Sequence, residues 1–157
     1  MNKYSKSWEE GLSAENEFLD NPAVTLVSKS NRGQDINEHW DFLVWVEGLG
    51  RLKVDIKGRK RNRRGDSDYM PEQWIELKNV HGRAGWAIPN EVTNRAIAFQ
   101  SSDEWIICFP EHLVNLCNSN EGYERRTRKG RKDVIVKAPI ADIKRIAELV
   151  LPIAEPV

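Results

Sequence analysis

The sequence predicts an α/β fold (α+β, with one mixed sheet): a single domain in which a central mixed β-sheet is flanked by helices. Three observations carry this. An amphipathic helical stretch opens the chain, short strand-like segments bounded by turn residues fill its middle, and helix and strand patterns alternate towards its end. The 157 residues suffice to bury a core without disulfides, and no repeat, low-complexity tract or Pro/Gly/Ser linker divides them, so residues 1–157 are read as one domain.

The first helix is expected from about Trp8 to Leu19, opened by a capping box in which Ser7 is followed three residues later by Glu10. At 100° per residue, Trp8, Leu12 and Leu19 share one stripe, with Phe18 on its edge. Glu15 falls inside that stripe, whereas Glu17 points away and reads as an ordinary solvated acid. A carboxylate on the buried side of a helix is costly unless paired or metal-bound, which makes Glu15 a functional candidate. Strands are expected at Val24 to Ser28, Asp41 to Val46 and Arg51 to Lys57, the last two joined as a hairpin by the glycine-rich EGLG. Further strands follow at Gln73 to Lys78 and around Arg95 to Phe99 and Glu104 to Phe109. Pro110 precedes a short helix ending near Cys117. A strand at Asp133 to Lys137 comes next, and Pro139 opens a final helix whose buried face is Ile140, Ile143, Ala147 and Val150.

Net charge is zero, but the charge is segregated. Residues 57–64, KGRKRNRR, and 125–132, RRTRKGRK, each hold six basic side chains and no acidic one, leaving twelve positive against twenty-four negative charges elsewhere. Two cationic grips on an acidic body suit a polyanion held at chosen places, and phosphate backbones are the obvious polyanion. Beyond Lys57, the candidate nucleic-acid contacts are Arg59, Lys60, Arg61, Arg63 and Arg64 in the first run, and Arg125, Arg126, Arg128, Lys129, Arg131 and Lys132 in the second. The expected partner is DNA. A homodimer is compatible with the sequence without being specified by it. Cys108 and Cys117 lack CxxC spacing, no signal-like apolar stretch follows MNKYSKSWEE, and no apolar run is long enough to cross a bilayer. The expectation is a cytoplasmic protein that does not engage membranes, in the host cytoplasm if phage-encoded. His39, His81 and His112 are scattered, and Pro110 interrupts the Cys108/His112 spacing, which argues against zinc.

The chemistry concentrates on RLKVDIK. Leu52, Val54 and Ile56 share one face, and Lys53, Asp55 and Lys57 the other. Asp41 opens the preceding strand, so antiparallel pairing brings its carboxylate near Asp55 and Lys57, and Glu15 joins them if the first helix packs on that face. Converging carboxylates repel unless a divalent cation is present, and hard oxygen ligands suit Mg²⁺ or Mn²⁺. Phosphodiester hydrolysis needs such a cation and a nearby ammonium, which Lys57 supplies. A second acid-x-lysine, Glu76-Leu77-Lys78, could use Asp55 as its upstream acid. The first is preferred because its loop is short and Glu15 is in phase, with Glu76 and Lys78 as accessory residues. Trp40, Trp74 and Trp86 flank the region, where one of them could stack on an unpaired base.

In the pattern Glu15, Asp41-Phe-Leu-Val, Val54-Asp55-Ile56-Lys57, together with WIELKNVHGRAGWAIP and YERRTRKGRKD, the chain resembles small phage-type members of the PD-(D/E)xK nuclease superfamily over roughly residues 8–140. That resemblance implies a restriction-endonuclease-like or Holliday-junction-resolvase-like core. It further implies metal binding by Asp41, Asp55 and the main-chain carbonyl of Ile56, water activation by Lys57 and support from Glu15. Trp40 stands where the pattern has proline. The activity implied is Mg²⁺-dependent hydrolysis of DNA in phage or mobile-element processing, endo or exo. The alternative is a nuclease-like nucleic-acid-binding or regulatory protein without turnover.

Overall fold

Alternation of apolar side chains places the central hairpin. In the computed structural model of the chain, which describes residues 3–61 and 68–153, β2 (Phe42–Val46) pairs antiparallel with β3 (Gly50–Lys57), Phe42 against Val54 and Val46 against Gly50. The turn between them uses positive φ at Gly48 and Gly50, and the Leu49 N–H donates to the Val46 carbonyl at 3.0 Å. β1 (Val24–Lys29) flanks β2. On the other side, β5 (Arg95–Gln100) runs parallel to β3, followed by β6 (Glu104–Cys108) and β9 (Leu149–Pro152), both antiparallel. The six-stranded order is β1-β2-β3-β5-β6-β9, a mixed sheet as expected. A second sheet, β4-β8-β7, is made by β4 (Glu72–Lys78), β7 (Arg125–Arg126) and β8 (Val134–Pro139).

Each face of the large sheet builds its own core. Leu52, Val54 and Ile56 pack with Phe42, Val44, Val46, Ala96 and Ala98 under α1 (Lys3–Leu19), which inserts Ala14 and Phe18. Phe18 meets Trp105 edge-on, with ring centroids 5.1 Å apart. On the other face, Ile97, Phe99 and Ile106 meet Ile75, Val136 and Ala138 of the small sheet, with Leu113 from α2 (Pro110–Ser119) and Ile143 from α3 (Ile140–Arg145). Fully burying each large apolar side chain stabilises the fold by roughly 1.5–3 kcal/mol.

Four expectations are corrected. α1 begins at Lys3, so Ser7 lies within the helix rather than at its cap; nothing in residues 3–7 breaks a helix. Its buried stripe runs through Ala14 and Phe18 instead of Leu12, which is 40% exposed. Glu17 is correspondingly half-buried, accepting from Gln100 Nε2 at 3.1 Å. The final helix stops at Arg145, and Val150, expected on its buried face, lies in β9 opposite Ile106. Leu149-Val-Leu fits both periods, and a free edge on β6 selects the strand. Arg63 and Arg64 lie outside the described residues. Among those described, no helix is long and apolar enough to cross a membrane.

Candidate functional site

Asp41 stands immediately before β2, at the Phe42↔Val54 end of the hairpin, close enough to Asp55 for the two charges to interact, while Asp55 points to the sheet face away from α1. The Asp41 N–H donates to the Val54 carbonyl at 2.7 Å, and Asp41 Oδ2 accepts from the Ile56 N–H at 2.8 Å. The N–H and C=O of one residue point to the same side of a ladder, so the Ile56 carbonyl faces Asp41 too. Asp55 is buried and paired at 3.3 Å with Lys57 Nζ, which also lies 4.5 Å over the Trp86 ring. Asp41, Asp55, Ile56 and Lys57 thus come together.

The electrostatics of Asp41 follow from this crowding. Burial first, then the charge of Asp55, push its carboxyl up to about 8; the Ile56 N–H opposes the shift, and a hydrogen bond with Asp35 adds to it. Among the described residues Asp41 forms no ion pair, and the Asp35 side chain is its hydrogen-bond partner. Asp35 belongs to a single π-helical turn, Gln34–Glu38, whose C-cap His39 has φ 59°. His39 is held neutral by burial and by the nearby cation of Arg95. Neither Asp35 nor His39 stood out in the sequence.

Glu15 enters from another direction than expected. α1 packs on the opposite face from Asp55, and Ala14 abuts Gly58, where a Cβ would stand 3.3 Å from the Ala14 Cβ. Glu15 beside it lies close enough to the end of β3 that, after burial, the charges of Asp35 and Asp55 raise its pKa against the opposing pull of Lys29.

Arg95 ties the walls together. Its buried guanidinium donates to the carbonyls of His39 (3.3 Å), Trp86 (2.7 Å) and Ile88 (2.8 Å), fixing the segment that leads into Asp41 and the ring beneath Lys57. Glu76 Oε1 accepts from the Trp86 N–H at 3.3 Å, and Gly85 passes so close that a Cβ would stand 2.4 Å from the Glu76 carbonyl oxygen. Glu76 therefore anchors the wall, while Lys78, beyond a register shift, is exposed. Trp40 is buried, its Nε1–H donating to Glu38 at 3.0 Å, which removes it as a stacking surface.

The basic runs are partly occupied by the fold. Arg59 and Arg61 stack on Tyr69 at 4.0 and 4.1 Å, and Arg61 pairs with Glu10 at 2.8 Å. Arg128 binds the buried Asp133 at 2.6 Å, Arg126 pairs with Glu124 at 2.8 Å, and Arg125 donates to the Cys117 carbonyl at 2.7 Å. Lys60, Lys129, Arg131 and Lys132 are exposed. Burial pushes the free thiols of Cys108 and Cys117 up to about 12 and about 11, which leaves them unreactive.

Among the described residues no three His, Cys, Asp or Glu side chains are assembled to hold a metal ion. The hairpin instead offers two carboxylates and the Ile56 carbonyl. Two carboxylates close enough to raise the pKa of one of them, beside a carbonyl, are a hard-oxygen donor set that fits a divalent ion. Compared with family models, curated proteins and solved structures, the chain matches none.

Proposed function

We propose that the chain is a Mg²⁺-dependent deoxyribonuclease, with Mn²⁺ as a substitute ion, acting at the Asp41/Asp55/Lys57 end of the hairpin. The observation that carries the reading is a half-buried Asp41 carboxyl set near the buried Asp55, 15 residues away in sequence from the Ile56 N–H that fixes it, with no ion pair to Asp41 among the described residues. In this reading Asp41, Asp55 and the Ile56 carbonyl would hold the ion, with the acids Glu15 and Asp35 nearby to support the site. The ion when bound supplies Lewis acidity at the phosphoryl oxygen and acidifies water. Lys57, steered by Asp55 at 3.3 Å and by the Trp86 ring, orients the attacking water and stabilises developing negative charge. Arg95 positions both walls, and the basic run after Lys57 holds the strand being cut.

The test is digestion of closed circular single-stranded and duplex DNA with Mg²⁺ or Mn²⁺, since closed circles separate endo from exo cleavage. Wild type should cut, EDTA should stop it, and Asp55→Asn should abolish both cutting and the metal-dependent rise in melting temperature. Binding without cutting under every ion and substrate would sink the reading and leave a nuclease-like binding protein.

A further inference from the structure

The outer face of the small sheet carries an aromatic ring between cations. In β4, Gln73 and Ile75 are buried, so Trp74 turns outward with Glu72 and Glu76. β8 sets Lys137 opposite Trp74, and β7 sets Arg126 opposite Ile135. Over the half-buried Trp74 ring, the Arg126 guanidinium stands at 4.9 Å and Lys137 Nζ at 5.7 Å. Arg125 turns inward to the Cys117 carbonyl, so β7 divides its two arginines between scaffold and surface. Two residues along β4 from Trp74, roughly 7 Å, Glu76 anchors Trp86, the ring beneath Lys57.

We propose that this face binds an unpaired nucleic-acid strand, one base stacking on Trp74 while Arg126 and Lys137 take its phosphates, and that the strand runs past Glu76 towards Lys57. Only the direction of that path rests on the nuclease reading; the binding does not. Cations over a half-buried surface ring are held weakly and can move onto phosphates when a base takes the ring. A duplex hides its base faces and would use the cations alone. An acidic peptide would do the same. The ring is therefore the discriminating element.

Anisotropy of labelled oligo-dT and of a matched duplex, measured in EDTA so that no cleavage intervenes, tests this. Trp74→Ala should weaken single-strand binding roughly 5- to 150-fold, the loss expected of one stacked base, and leave duplex binding unchanged. Trp74→Phe, which keeps a π face, should recover most of the loss, and R126Q with K137Q should flatten the salt dependence. Equal losses on both substrates, no loss, failure of the Phe variant to rescue, or displacement by poly-glutamate as readily as by oligo-dT would overturn it. Stacking in a protein that cleaves nothing keeps this proposal and removes the nuclease reading; cleavage with Trp74→Ala binding intact does the reverse.

Discussion

β3 and β4 each present an acid, an aliphatic residue and a lysine in succession, yet β3 lies inside a six-stranded sheet and β4 at the edge of a three-stranded one. Near Asp55 stands Asp41, just before β2, whereas across from Glu76 stands Ile135. Asp55 and Lys57 keep an unbroken register with Ile97 and Phe99, while a register shift separates Glu76 from Lys78 and leaves the lysine in solvent. The difference teaches that an acid-x-lysine strand gains chemistry from its neighbour. A second carboxylate beside the first creates unbalanced charge, and an apolar neighbour leaves an ordinary hydrogen-bond acceptor.

The largest expected effect exploits that contrast directly. If Lys57 acts on the attacking water, Lys57→Ala should lower turnover by roughly two to three orders of magnitude with DNA affinity little changed. Lys78→Ala should leave turnover near wild type. Single-turnover kinetics beside equilibrium binding measure both, and the opposite ranking would move the site to Asp55, Glu76 and Lys78.

The hairpin was legible because its residues obey period two and its turn is rich in glycine, which brings the start of β2 beside the end of β3, where the Asp41 bonds to Val54 and Ile56 hold it near Asp55 and Lys57. What escaped lies where no period operates. Asp35 and His39 sit in an irregular π-turn whose path depends on φ 59° at His39 and on the Arg95 bond to its carbonyl. Arg95 itself read as the first residue of a strand, since its three carbonyl partners come from loops. Glu15 could be placed beside Asp55 only on the condition that the first helix packs on that face, because helix periodicity gives a buried stripe without saying which side of the sheet it covers. The partition of the arginines between ion pairs and solvent depended on Asp133 and Glu10, which are adjacent only in the fold.

A smaller effect, on stability, tests the carboxylate that β3 has beside it and β4 lacks. The Asp41 carboxyl titrates at about 8 in the metal-free fold and near 3.9 when unfolded. Between those values the native state binds a proton that the unfolded chain does not, so this group's contribution is fully present below about pH 4 and lost as pH rises through about 8. Asp41→Asn keeps an acceptor for the Ile56 N–H and a donor for Asp35, mimicking the protonated acid. In EDTA its melting temperature should exceed wild type by a margin that grows from pH 5 to pH 8, each kcal/mol relieved appearing as about 2–4 °C. A pH-independent margin for Asp41→Asn would mean that its carboxyl is not the uncompensated group, and the case for a metal would lose its basis.

The smallest expected effect concerns the basic run that leads into β8, the strand paired with β4. Lys129 and Arg131 are exposed, whereas Arg128 beside them is committed to the buried Asp133 through its Nε at 2.6 Å and its backbone N–H at 3.0 Å. If the exposed pair grips phosphates, K129A with R131A should lower the slope of log affinity against log salt by roughly 1.4–1.8, the sum for two contacts at 0.7–0.9 each. Turnover at saturating DNA and melting temperature should both hold, because neither side chain touches the carboxylates or the core. Arg128→Ala should do the opposite. It leaves a buried carboxylate without its cation, so the melting temperature falls while the salt slope changes by less than one contact. Titrations at several salt concentrations alongside thermal melts decide it: an unchanged slope for the double variant makes the run a solvated loop, and an unchanged melt for Arg128→Ala detaches that loop from the sheet that carries Glu76.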